Sequence, residues 1–493
     1  MAWIKQSRTA SGAISVQVVF SKAGGRTEMS HVGSAHNDAE LAALRLRAQK
    51  LMSPGQLALD FGADAAPGAP RVVSSRAVRL WEALSEAYRR LGFEAAVGDD
   101  AFRALVLARV IEPASKRDTL RVLAELGLRP PSYATVQRAL DRCMGRGYRE
   151  ACQAACGEHV GAEGLRLCLY DVTTLYFETD KADGFRVPGY SKERRLEPQI
   201  TVGLLTDRGG FPLMVRAFEG DRAETKTLLP VMDEFRAANP TAEVTLVADA
   251  GMISEANMAA LEDAGWRFIV GGRLAAEPPP VAVWRAARPG QELADGQFFS
   301  QTRQGSRRWI EWIRYSRKAA KRNLHGIDES LRKAQKIIDG KGSAKRNRFL
   351  KASAATPEID EGLVASARAR AGLRSYVTNL EADPEFIAHA YHQLYHIEAA
   401  FRMSKHDLEA RPAYHYKRER IEAHLTIVFA ALAVGKWIEA RADLSLRAFL
   451  NAVRPIREIT IEVAGTPITA ETEVGEDAHR ALAAIHGATG EGD

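Results

Sequence analysis

The spacing of apolar positions changes several times along this chain, and the changes divide it. Residues 1–53 open with alternation in ISVQVVF, bounded by GG and GS turns, which predicts short strands. HNDAELAALRLRAQKLM then has helical spacing, with Asn37 or Asp38 near its N-cap. Residues 54–75 are rich in Pro, Gly and Ala and read as a linker. Residues 76–160 keep a helical period almost throughout. From residue 161 the period shortens. LRLCLYDVTTLYF reads as a strand, and PQITVGLLT and GFPLMVRAF as a hairpin about a DRGG turn. TKTLLPVMDEFRAA is an amphipathic helix, EVTLVADA a strand, SEANMAALEDAG a helix capped by Ser254, and WRFIVGGRL another strand.

Three meandering strands, then helix, strand, helix and strand, make a mixed α/β sheet in the order of the ribonuclease H-like fold. Residues 161–274 and 374–440 form this core. Residues 275–373 interrupt it: VAVWRAA, GQFFSQTR and SRRWIEWIRYS read as strands, followed by basic helices from SRKAAKRN onward. RSYVTNL is the returning strand. Residues 441–493 are expected to be a C-terminal tail. The fold class is therefore α/β: a ribonuclease H-like mixed-sheet core with a long insertion, preceded by a mostly helical region. Within that region, DTLRVLAELG and SYATVQRALDRC, joined by a Gly-Pro turn, resemble a helix-turn-helix. Its second helix, capped by Ser132, would present Tyr133, Gln137 and Arg138 to a major groove; plain bundle packing is the competing reading.

Charge sharpens the picture. The net +6 is uneven: residues 301–351 hold 16 Lys or Arg against 4 Asp or Glu, so the rest of the chain is net acidic. A concentrated basic patch is the electrostatic footprint of a polyanion. Cys143, Cys152, Cys156 and Cys168 have no CxxC or Cys-His spacing and read as reduced, buried thiols. No apolar run stands out as a membrane span, so no membrane partner and a cytoplasmic, nucleoid-associated location are expected.

Three carboxylates carry the candidate chemistry. Asp171 and Asp249 each end an apolar run, and each is followed by small or hydroxyl residues. A strand-end Asp commonly just caps a turn. Two on neighbouring strands, with Glu398 on a late helix, form the oxygen-rich set that hard divalent cations prefer. On a helix, seven residues make about two turns, so Tyr391, Glu398 and Lys405 share a face. Arg402 follows one turn after the Glu. Ile397, Ala399, Ala400 and Phe401 surround Glu398, so a plain surface Glu–Arg pair fits poorly.

The stretch YHQLYHIEAAFRMSK resembles the Tyr-x2-Arg-x3-Glu-x6-Lys signature of insertion-sequence DDE transposases, with Tyr391, Glu398 and Lys405 in register and Leu394 where the Arg would stand. GYSKERRLEPQITVGLLTDRGGFPL and RPAYHYKRERIEAHLTIVFAAL resemble segments of the same group. The resemblance implies a catalytic and metal-binding triad of Asp171, Asp249 and Glu398, holding two Mg²⁺ (or Mn²⁺) ions. It implies that double-stranded DNA, both transposon inverted repeats and target, is the partner, bound by a homodimer. The activity implied is cutting at transposon ends and joining of the 3′ end to target. The expected DNA contacts are Tyr391, Arg402 and Lys405; Lys192, Arg194 and Arg195; Lys417, Arg418, Arg420 and His424; and, in the basic insertion, Arg317, Lys318, Lys321 and Arg322. Two rivals remain. LCLYDVTT has the shape of a phosphatase Asp motif but carries Thr173 where the second Asp belongs. The other is a transposase-derived protein that only binds DNA.

Overall fold

The computed structural model describes residues 2–9, 12–21, 27–52, 71–179, 181–189, 197–303, 307, 309–341, 347–351, 357–411, 415–463 and 466–487. Its centre is an eight-stranded mixed sheet. Strands β1 (Leu167–Tyr176), β2 (Gln199–Asp207) and β3 (Pro212–Glu219) form an antiparallel meander. The turn between β2 and β3 is the DRGG sequence, tightened by Asp207, whose carboxylate accepts from the backbone N–H groups of Gly209 and Phe211. Strand β4 (Thr245–Ala248) lies parallel to β1, and β5 (Arg267–Gly272) parallel to β4. The spatial order β3-β2-β1-β4-β5, with only β2 running against the rest, is that of a ribonuclease H-like core.

Beyond β5 the insertion extends the same sheet. β6 (Phe298–Thr302), β7 (Ile310–Tyr315) and β8 (Leu373–Thr378) are antiparallel, with β8 seated against β5. VAVWRAA, expected as a strand, is instead the helix Pro279–Ala287. The prolines ahead of it explain the difference: a Pro at the first helical position has its φ preset and no N–H to leave unpaired. The basic stretch is one helix, Arg317–Ile338, that buries only Ala320, Ile327 and Ala334.

Helices cover both sheet faces. Cys168, Tyr170, Leu246, Ala248, Phe268 and Val270 pack on one side with Leu228, Val231, Met232 and Phe235, and with Met258 and Leu261. Leu169, Leu175, Val247 and Ile269 point to the other side, toward Ile397, Ala400 and Phe401 and the long helix Arg418–Ala442. That helix is long and apolar enough to cross a membrane by length and composition, which the sequence pattern had not suggested. It is 94% buried over its apolar window and serves as the central strut between the sheet and the helical region.

The N-terminal residues form a three-stranded antiparallel sheet, Ala2–Arg8, Ile14–Ser21 and Thr27–Ala35, backed by the helix Asp38–Met52. Asn37 caps that helix by accepting from the Glu40 N–H at 2.8 Å. Two expectations are corrected here. Residues 71–76 are a strand and not linker, and residues 441–493 are not a loose tail. Arg71–Arg76 pairs with Glu458–Val463, which pairs with Thr466–Glu471, while Leu446–Val453 and Glu476–His486 are helices. The remaining expected linker, 54–70, lies outside the described residues. The four cysteines are free and buried.

Candidate active site

Parity along the strands aims the carboxylates. Asp171 is the fifth residue of β1 and shares its side with Leu169 and Leu175; it sits within the strand, not at its end as expected. In the parallel pairing, Tyr170 lies opposite Ala248. Asp171 and Asp249 are therefore next-door positions, and Asp249 continues the Val247 side, facing the Glu398 helix. Side chains alternate faces with a period of two, so these two Asp residues cannot be brought together any other way without losing the core pattern.

The Glu-bearing segment is bent. Tyr391 lies near the end of the helix Pro384–His392, the chain turns at Gln393, and Glu398 lies in Leu394–Arg402. Lys405 follows in a wide π-type turn, Met403–Asp407. Such turns are single-turn features often found at functional sites. Ile397, Ala400 and Phe401 anchor the segment on the sheet, which leaves Glu398 and Arg402 on the exposed side. Among the described residues Glu398 forms no ion pair with Arg402.

One cavity of about 470 Å³ is lined by Asp171, Asp249, Glu398 and Tyr391 together. A second, of about 520 Å³, shares Asp171 and Glu398 and adds Lys405 and Arg222. The two cavities adjoin at Asp171 and Glu398, so Tyr391 and Asp249 lie to one side of that pair and Lys405 to the other. Tyr391 donates its hydroxyl to Asp249 Oδ1 at 2.7 Å, and Asp249 Oδ1 also accepts from the Ala250 N–H. Burial and the neighbouring carboxylate push the Tyr391 phenol well above its ordinary value, so it stays a donor. Gly271 permits this contact: a Cβ there would fall 2.5 Å from the Tyr391 hydroxyl and 3.1 Å from the Ala250 nitrogen. Asp171 Oδ1 accepts from the Val172 N–H at 2.8 Å.

Three carboxylates on one opening are the right chemistry for a hard divalent cation. They are spread along its wall: among the described residues no group of three His, Cys, Asp or Glu side chains is gathered tightly enough to hold one ion.

The remaining sequence-derived candidates divide. Arg317, Lys318, Lys321 and Arg322 lie on the first turns of the basic helix, and Lys318, Lys321 and Arg322 face solvent there. The helix's inner side, through Asn323 and Ile327, lines a cavity that also touches Gly272, Arg374 and Ser375, residues of the carboxylate opening. Lys417 and Arg418 are exposed at the start of the strut helix, with Arg418 stacked 4.4 Å over Phe185. Arg420 is committed elsewhere, pairing with Asp141 at 2.8 Å and donating to the Gln137 carbonyl at 3.0 Å. His424 is buried beneath Lys116 and Ala410, so it is not a surface DNA contact. Lys192, Arg194 and Arg195 lie outside the described residues.

The family model of the transposase DDE domain matches residues 163–434, more than half of the chain. The chain belongs to the transposase DDE family. Among curated proteins none matches this transposase. Among solved structures, the piggyBac transposase synaptic complex with hairpin DNA, determined by cryo-EM, aligns over 76% of this chain and 70% of that one, at 12% identity and a TM-score of 0.37.

Sequence reasoning missed Arg374. It lies on β8 and lines the carboxylate cavity beside Tyr391 and Leu394; after the partial desolvation of the ring, it and Arg314 lower the pKa of the neighbouring His392. Nothing in RSYVTNL marks it; only the pairing of β8 with β5 brings it there.

Proposed function

We propose that this transposase cuts phosphodiester bonds at transposon ends and joins the freed 3′ end to target DNA, with divalent metal bound by Asp171, Asp249 and Glu398. The observation that carries the reading is the single opening lined by all three carboxylates, two aligned by β1–β4 register and one presented by the facing helix. A pair of Mg²⁺ ions there would activate the attacking water and stabilise the leaving oxygen. Asp171 and Glu398 line both cavities, and with Asp249 they would hold the metal. Tyr391 holds Asp249 in orientation through its hydroxyl. Lys405 and Arg374 flank the carboxylates and hold the phosphates on either side of the cut. In this reading Arg374, and not the exposed Arg402, takes the phosphate contact left open by Leu394. The basic helix Arg317–Ile338 carries flanking duplex, and two chains act together on DNA.

The test is cleavage of duplex DNA carrying the element's terminal repeats. Wild type should release a 3′-OH in Mg²⁺ and none in excess chelator. Asp171→Asn should lose cleavage yet bind the same duplex. Cleavage retained by that variant would reject the carboxylate site, and a wild-type chain that binds but never cuts would leave a DNA-binding protein only.

A further inference from the structure

A separate cavity, of about 420 Å³, opens between the helical region and the strut helix, and no role in cleavage uses it. Its inner wall is cationic. Lys116 is 7% exposed, and among the described residues its one hydrogen bond runs to His424 Nδ1 at 3.4 Å. His424 Nε2 lies 3.3 Å from the Ala410 carbonyl, which sets it as the donor nitrogen and leaves Nδ1 as the acceptor for Lys116. Arg109, also 7% exposed, donates to the Ala114 carbonyl at 3.0 Å. Arg117 stands at the mouth, stacked 5.4 Å over the Tyr133 ring. Against these cations Glu409 is the one carboxylate in the lining, and it is exposed.

A buried ammonium is costly unless it is paired or gives up its proton. Burial, with Arg109 nearby, pushes the Lys116 pKa well down, which is what an anion in the cavity would reverse. The charge, the enclosure and the donor count suit a tetrahedral oxyanion. The cavity is also well sited. Tyr133 and Gln137 of the candidate DNA-reading helix form one wall, and Arg411, just after the Lys405 turn, belongs to another.

We propose that this cavity is a phosphate-binding pocket, in which Lys116, Arg109 and Arg117 grip one backbone phosphate of bound DNA and so tie the helical region's DNA to the catalytic core. The phosphate assignment stands by itself; the DNA source rests on the proposed function.

The first test needs neither DNA nor metal. Thermal unfolding of the full chain is followed in inorganic phosphate and in chloride at matched ionic strength. Wild type should gain a few degrees in phosphate, as any ligand of the folded state confers. Lys116→Met should lose the phosphate gain. Arg117→Gln, at the exposed mouth, should fold normally and show a smaller gain; it decides the matter if Lys116→Met does not fold. Absence of a phosphate-specific gain in wild type, or a full gain in Arg117→Gln and Lys116→Met, overturns the pocket. The second test sets the source. If the pocket takes a DNA phosphate, inorganic phosphate at fixed ionic strength should weaken duplex binding several-fold in wild type and leave Lys116→Met unaffected. Duplex binding indifferent to both phosphate and Lys116→Met overturns the DNA source and assigns the pocket to a free phosphate ester.

Discussion

Two cavities of similar size stand on either side of the Met403–Asp407 turn, with opposite chemistry. The carboxylate opening gathers Asp171, Asp249 and Glu398. The other gathers Lys116, Arg109 and Arg117 around a neutral buried His424. The charge of the first suits cations, that of the second an anion. A segment of a few residues joins them, with Lys405 facing one and Glu409 and Arg411 facing the other. Under the proposed function a duplex must be held while it is cut, which calls for both kinds of surface, and here both draw on one stretch of chain.

The sharpest way to break this pairing is to remove charge from the carboxylate side. Asp249→Asn should lower the cleavage rate by about 10²–10³-fold, the scale at which removal of one preorganised electrostatic group is felt, while duplex affinity changes little. Rate measured under single-turnover conditions checks it. A subtler change on the same side is Gly271→Ala. Its methyl would displace the Tyr391 hydroxyl from Asp249, so cleavage should fall about 10–100-fold, the usual cost of removing an orienting hydrogen bond. Tyr391→Phe should fall by a similar factor, with unfolding temperature little changed in both.

Away from both cavities, replacing Arg317, Lys318, Lys321 and Arg322 with Gln should weaken cognate and random duplexes alike. Every phosphate the variant leaves without a cation flattens the slope of log K against log salt by about 0.9, so the change is a few units at most; an unchanged slope would place this helix away from DNA. The smallest effect is a pH dependence on the cationic side. Burial, then Lys116, Arg420 and Arg109, holds His415 down to about 4 from 6.5. The unfolded chain thus binds the extra proton first as pH falls, so stability is lost between about pH 6.5 and 4. His415→Gln should flatten that part of the curve by about 1 kcal/mol per pH unit at most, measured by chemical denaturation.

The carboxylate side was largely legible in the sequence, and the cationic side was not. Apolar runs around Asp171 and Asp249, the DRGG hairpin, and the Tyr391–Glu398–Lys405 spacing are local patterns, and the order of elements made the two Asp-bearing strands neighbours; their register, with Asp171 inside its strand, came only from the pairing. The cationic pocket draws on residues 109–117 and 409–424, about 300 positions apart, and no local period reports such a meeting. The same limit hid the pairing of Glu458 with Arg76. His424 was misplaced for a different reason. It stands close to Lys417, Arg418 and Arg420, but the apolar run LTIVFAALAV that follows already marks a helix buried on all sides. VAVWRAA shows how a β-branched run yields to the prolines before it.

The proposed chemistry stands or falls on whether Asp171, Asp249 and Glu398 bind divalent ions when these are supplied. Calorimetric titration of the full chain with Mn²⁺ tests it without DNA. Saturable binding is expected of wild type, weakened by each of Asp171→Asn, Asp249→Asn and Glu398→Gln by no less than the roughly 10–100-fold that loss of an outer-shell partner costs, and unchanged in Lys116→Met. Mn²⁺ binding that is indifferent to all three carboxylate substitutions would contradict it.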